Sequence, residues 1–360
     1  MRMITHTLFV ALALGLPATP ASAQAPTWIH EFADDIAREA GELARFVEQR
    51  VLAAQNRQDT RGRLARGPAV TETFERTVRL GRGGTFDLRN FSGDIVITGS
   101  AGNDVRIEAT KRVNHPNESD ARAILADMEI QVVERAGAVE VRTEFPRRRN
   151  WPAGIDFSVS VPRDARVTVQ SIAGSIRVSN VDGALRAESV SGDLVVSSAS
   201  AVRQVKTVSG NLALSDVKGD DLTVGSVSGG IQIGSLTARA FTAQSVSGDL
   251  RLTDVETDRA SARSVSGDIE FAGRLARNGR YEFQSHSGDV RITPDGARGF
   301  SLEATTFSGD VRSDFPLTRQ GTQGSRFVPG RRNNSVRGSF GDAGATVSAQ
   351  SFSGDIVLAR

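Results

Sequence analysis

Ser245-Val246-Ser247-Gly248-Asp249-Leu250-Arg251-Leu252 is answered, nineteen residues on, by Ser264-Val265-Ser266-Gly267-Asp268-Ile269-Glu270-Phe271. This Ser-Gly-Asp unit or a close variant recurs along most of the chain, on Gly93, Gly174, Gly192, Gly210, Gly229, Gly248, Gly267, Gly288, Gly309 and Gly354. From Gly174 to Gly309 the spacings are 18, 18, 19, 19, 19, 21 and 21 residues. Gaps of 81 residues after Gly93 and 45 after Gly309 break the rhythm. A self-similar period of this length marks a stacked repeat architecture.

Aligned on the glycine, the flanking residues alternate. Positions seven, five and three before it are apolar or small, as in Leu222/Val224/Ser226 and Tyr281/Phe283/Ser285; positions two and four after it are apolar, as in Leu194/Val196 and Ile269/Phe271. Period-two alternation on both sides of a fixed glycine predicts two short strands joined at a corner. The position two before the glycine (Ile172, Val190, Val208, Val227, Val246, Val265, His286, Phe307, Phe352) reads as a third inward column. Val181, Val217, Leu236 and Val255, seven after it, fill another corner. Coils of 18–21 residues with these inward columns close on themselves, and each stacked coil adds about 4.8 Å. The fold class is all-β, a parallel β-solenoid.

Glycine suits a corner that needs φ > 0, and Ser, Asp and Asn beside it bond local backbone. The aspartates after the glycine pose a sharper question. Asp249, Asp268, Asp289 and Asp310 fall in consecutive repeats and predict a ladder of carboxylates. Such a ladder must be solvated, bonded to amides, paired with outward Arg251, Arg291 and Arg312, or neutralised by a cation. Calcium is the candidate ion for hard oxygen ligands. The unit differs, though, from the glycine-rich nonapeptide of calcium-binding solenoids, and Ser175, Asn211 and Gly230 interrupt the column.

The remaining segments divide as follows. Residues 1–23 read as a secretory signal: Arg2, an apolar run from Leu8 to Leu16, and Ala21-Ser22-Ala23 as cleavage site. Within 24–56, Trp28 to Leu52 forms an amphipathic helix with Ile29, Phe32, Ile36, Ala40, Leu43, Val47 and Val51 on one face, a cap or an oligomerisation element. An Arg-rich linker covers 57–72. A β-rich lead-in region over 73–165 holds the first coil, a helix near Glu118 to Met128 and strands near Val105–Val113, Ile130–Glu134, Val139–Phe145 and Ile155–Val161. The regular solenoid is 166–315. A basic Gly/Arg/Asn loop over 316–345, with Arg319, Arg326, Arg331, Arg332 and Arg337, precedes a terminal coil at 346–360.

Acid and base nearly balance, with 44 Lys and Arg against 42 Asp and Glu, which gives no nucleic-acid signature. Neither that balance nor the Arg147-Arg148-Arg149-Asn150-Trp151 cluster, read as a strand connection, calls for a nucleic-acid partner. Absent cysteine excludes disulfides, thiol chemistry and a lipidated N-terminal Cys. No stretch approaches the twenty apolar residues of a membrane span. His30, His115 and His286 lack ligands at metal spacing, and no cofactor is expected. Ser228-Gly229-Gly230 is one tooth of the repeat, not a hydrolase motif.

The Ser-Gly-Asp-(Leu/Ile/Val) corners, the period near nineteen, the Val161-Pro162 step and the leading signal resemble the bacterial putative-adhesin β-helix family over about Phe86 to Arg360. The resemblance implies a right-handed parallel β-helix in an exported protein of the periplasm, envelope or cell surface, with no catalytic residues to carry over. The expected function is a non-catalytic, adhesin-like rod presenting its flanks to a polysaccharide or a surface protein. Two alternatives are a polysaccharide lyase or hydrolase and an end-to-end polymerising envelope scaffold. The outward residues three after the glycine (Arg177, Val195, Ala213, Gln232, Arg251, Glu270, Arg291, Arg312) form no acid–base cluster.

Overall fold

A computed structural model of the chain describes residues 69–145, 153–296, 298–318 and 334–360. The signal segment, the helix at 28–52, the Arg147–Trp151 cluster and most of the basic loop lie outside the described residues. The described chain is almost wholly strand. The lead-in region comprises β1 (Ala69–Arg79), β2 (Thr85–Ser92), β3 (Ile95–Ser100), β4 (Asp104–Asn114), α1 (Glu118–Ala126), β5 (Glu129–Arg135), β6 (Ala138–Glu144) and β7 (Ala153–Pro162). Ten strands follow through the repeats: β8 (Arg166–Ala173), β9 (Ile176–Ser179), β10 (Ala184–Ser191), β11 (Leu194–Ala199), β12 (Ala201–Ser209), β13 (Leu212–Ser228), β14 (Ile231–Ser247), β15 (Leu250–Ser266), β16 (Ile269–Ser287) and β17 (Val290–Asp295). The last five are β18 (Gly299–Ser308), β19 (Val311–Ser313), β20 (Ser335–Gly341), β21 (Ala345–Ser353) and β22 (Ile356–Leu358). β1 begins inside the stretch read as linker, and β20 inside the stretch read as loop.

Parallel pairing stacks the repeats into a solenoid. Leu212 lies beside Ile231, Ile231 beside Leu250 and Leu250 beside Ile269, so equivalent residues form columns. The columns predicted from alternation are buried: Leu222, Phe241, Tyr281 and Phe283 before the glycine, and Leu194, Ile231, Leu250 and Phe271 after it. Removing each such side chain from water stabilises the stack by about 1.5–3 kcal/mol. Val181, Val217, Leu236 and Val255 are buried at the second corner. There the preceding residues Asn180, Ser198, Asp216, Ser235 and Asp254 all take positive φ, from 51° to 61°. Short polar side chains tolerate that left-handed backbone best among non-glycine residues.

The column two before the glycine lies off the core, half-buried in most coils, buried at Val246 and exposed at Phe307 and Phe352, a correction to its reading as an inward column. Ser189, Ser226, Ser245 and Ser264 three before the glycine are buried, so alternation turns the next residue away from the core. Phe307 is 73% and Phe352 44% exposed. His286 stacks on Phe352, and Phe352 on Phe307, each with ring centres 4.9 Å apart.

Order in space departs from order in sequence at both ends of the stack. β21 pairs with β16 on one side and with β18 on the other, while β22 lies between β17 and β19. The coil at 345–358 therefore sits between two coils that precede it in the chain. β20 runs antiparallel on the outer side of β18, so β20 and β21 straddle it, joined only by Asp342-Ala343-Gly344. The opposite end repeats the device: β3 and β4, joined by Ala101-Gly102-Asn103, straddle β7. β1 then covers β4, and β5 covers β6, both antiparallel.

α1 starts at Asn117, whose Oδ1 accepts the Ser119 N–H at 2.9 Å, a side-chain cap on an otherwise unsatisfied donor. Ala121, Ile124 and Leu125 form its buried face. His115 is buried beside this cap with Nδ1 2.9 Å from the Asn117 carbonyl, a structural place.

Candidate functional site

The corner column carries both the fold and the candidate site. Gly192 has φ 144°, and a Cβ there would stand 2.2 Å from the carbonyl oxygen of Gly174 in the preceding coil. Glycine is thus required by close approach as well as by conformation. The Gly192 N–H donates onward to the Ser209 carbonyl at 2.9 Å. Behind it, the Thr207 hydroxyl donates to the Gly192 carbonyl at 3.3 Å, and Ser226, Ser285, Ser351 and Thr306 repeat the bond on Gly210, Gly267, Gly288 and Gly354.

Every aspartate after a corner glycine except Asp310, on the last coil, accepts an amide of the next coil. Asp249 Oδ1 accepts the Asp268 N–H at 3.0 Å, Asp268 accepts that of Asp289 at 2.8 Å, and Asp289 accepts that of Asp355 at 2.7 Å. Asp355 in turn accepts the Asp310 N–H at 2.9 Å. The ladder read from sequence is therefore corrected: Asp289 and Asp310 are not neighbours, because Asp355 stands between them. Elsewhere Asp94 holds Ser175, Asp193 holds Asn211, and Asn211 holds Gly230 by the same bond. Asp156, which no Ser-Gly precedes, holds Asp94 at 2.9 Å. Its only sequence signal is the alternation of Ile155-Asp156-Phe157-Ser158-Val159.

A groove of about 270 Å³ opens along the later coils, between the aspartate column and the outward column two residues on. Asp249, Asp268 and Asp289 form one wall; Arg251, Glu270 and Arg291 form the other. Arg251 pairs with Glu270 at 2.9 Å, and Arg312 bridges Asp310 at 3.3 Å and Asp355 at 3.5 Å. Among the described residues Arg291, Asp249, Asp268 and Asp289 form no ion pair. Like charges one coil apart repel by about 1 kcal/mol per pair even in water. Among the described residues no three His, Cys, Asp or Glu side chains come together as a metal site. The aspartates' Oδ1 atoms serve amides instead.

Elsewhere the flanks carry cross-coil pairs. Arg239 lies 2.6 Å from both Asp220 and Asp221, and its hydrogen bond holds the Asp220 carboxyl below the usual carboxylate range. Arg337, assigned to the basic loop, lies on β20 and pairs with Glu303 of β18. Burial pushes the Asp87 carboxyl up, opposed by Arg89 at 3.2 Å. Among the described residues no helix is long and apolar enough to cross a membrane.

No curated protein matches the sequence. Solved structures of similar form include a putative cell adhesion protein from Clostridium sporogenes, 10% identical, with TM-score 0.25, covering 80% of this chain and 99% of that one. A putative adhesin from Bacteroides fragilis is 13% identical, with TM-score 0.39 and coverage of 80% and 97%. A putative lipid binding protein from Parabacteroides distasonis is 11% identical, with TM-score 0.46 and coverage of 80% and 97%. Residues 184–359 match the family described as Toastrack DUF4097. The matched segment, just under half of the chain, is the stretch through which the corners repeat most regularly, so the chain is similar there to the Toastrack family of β-solenoid domains.

Proposed function

We propose that the protein is a non-catalytic, exported surface protein of adhesin type, a right-handed solenoid that presents its flanks to a glycan or another envelope component. One observation carries this reading. Residues that recur from coil to coil are occupied in holding coils together: glycine by close approach, the hydroxyls of Thr207, Ser226, Ser285, Thr306 and Ser351 by bonds to glycine carbonyls, aspartate by its bond to the next amide. The outward side chains change in charge and size from coil to coil on regular flanks, where a rigid rod meets a partner without reorganising.

End-to-end growth of a scaffold has less support, because β5, β4 and β20 lie antiparallel on the coils at the two ends. The test is a glycan array combined with polysaccharide-cleavage assays on the purified protein, and fractionation of the producing cells. Retention of a glycan or an envelope component without turnover, by protein lacking residues 1–23, is the expected result. Turnover of any polymer that Asp268→Asn abolishes would overturn the non-catalytic reading.

A further inference from the structure

The fold does not need the charge in its aspartate column. Asn211 accepts the Gly230 amide at 3.0 Å, the same bond that Asp249 gives to Asp268 at 3.0 Å. Coils with Ser175 and Gly230 at this position stack without any such acceptor. The outward wall is equally dispensable to stacking, since other coils place Val195 and Ala213 there. Yet from Asp249 onward five spatially successive coils carry aspartate, opposite Arg251, Glu270, Arg291, Val357 and Arg312, charged in four of the five coils. The charge is therefore concentrated on one half of one flank, where the groove lies.

We infer that this groove binds a neutral, polyhydroxylated polymer lying along the solenoid axis, an inference that rests on the glycan reading of the flanks. The amide bonds from Asp268, Asp289 and Asp355 fix the three carboxylates by one oxygen each and leave the other as an acceptor. Those acceptors stand about 4.8 Å apart. Arg251 and Arg291 supply donors from the facing wall. A hydroxyl both donates and accepts, so vicinal hydroxyls satisfy a carboxylate on one side and a guanidinium on the other. Four carboxylates against two guanidiniums repel an anionic polymer, while Arg291 beside Asp268 and Asp289 breaks the acidic strip that a polycation would follow. Walls held in place before binding lose little freedom on contact.

The test is biolayer interferometry of the protein on immobilised hydroxyethyl cellulose, mannan and laminarin, with chitosan and polygalacturonate as charged comparators. Asp268→Asn and Arg291→Gln probe the two walls; Arg177→Gln, at the equivalent position of another coil, is the control. Binding to at least one neutral polymer is expected. Each groove variant should weaken it at least tenfold with the thermal midpoint unchanged, and Arg177→Gln should leave it intact. Neutral-polymer binding insensitive to both groove variants, or weakened equally by Arg177→Gln, overturns the groove while leaving the glycan reading standing. Retention on chitosan alone or polygalacturonate alone overturns the assignment to a neutral ligand. Retention on no polymer overturns both readings.

Discussion

Asp355 Oδ1 accepts the backbone N–H of Asp310 at 2.9 Å, although Asp310 lies 45 residues earlier in the chain. Gly354 makes the matching contact: a Cβ on Gly309 would stand 2.2 Å from its carbonyl oxygen. The coil at 345–358 is consequently a load shared by both neighbours. Deleting residues 345–360 removes the partner of β16 and β18 together and should lower the urea midpoint far more than Ser335→Pro in β20. Equal losses in equilibrium unfolding would contradict the interleaved order.

Gly267 has φ 153°, and a Cβ there would meet the Gly248 carbonyl at 2.4 Å. Gly267→Ala should destabilise the protein by about 3 kcal/mol, combining backbone strain with forced separation of two coils. Gly137→Ala offers a comparison: its φ is also positive, at 73°, but nothing lies within 4 Å of the added carbon. Its loss should stay near 1 kcal/mol, as for strain alone. Chemical denaturation of both variants checks the difference.

Ser235 occupies the left-handed region at φ 61°. Ser235→Gly removes a Cβ penalty of about 1 kcal/mol, partly offset by glycine's greater freedom when unfolded. A net rise in stability of about 0.5 kcal/mol is expected. The same change at Ser245, buried in extended strand, should lower the thermal midpoint instead.

Tyr281 is fully buried, and its hydroxyl donates to the Thr257 carbonyl at 2.5 Å while accepting the Ala276 N–H at 2.7 Å. This bond closes the bulge that absorbs the two extra residues between Gly267 and Gly288. Tyr281→Phe leaves both backbone groups without that partner and should destabilise by about 1–3 kcal/mol. Burial pushes the phenol's pKa above its ordinary value, so the unfolded chain ionises first. The tyrosine's contribution is whole below pH about 10 and lost as pH rises through its folded pKa. An alkaline loss of stability in the wild type that Tyr281→Phe lacks is the expected pattern in pH-dependent unfolding.

The corners and inward columns were legible in the sequence because each is repeated many times at fixed spacing, as with Leu250, Ile269 and Gly267. What the sequence hid were matters of direction and order. Phe307 looks like core by composition, yet the buried Thr306 before it fixes the alternation and turns the phenylalanine outward. An apolar residue reveals its side only through its neighbours. The place of Asp355 was hidden for another reason: spacing along the chain measures length, whereas stacking depends on which edges remain open. The groove needed the second correction, since Val357 joins its lining only after the coil is put in its place. Asp156 was missed because its corner has no glycine, there being no further corner glycine for Ile155 to approach.

The straddled ends also set a schedule. A chain made from residue 1 onward can wind its regular coils as they appear, but the 299–313 coil cannot seat against Ser287 and Gly288 without shutting out the segment meant to lie between them. It must wait, unpaired on that side, until residues 345–358 have been synthesised. A chain halted before that point carries an open, sticky sheet edge and is marked as incomplete by its own surface.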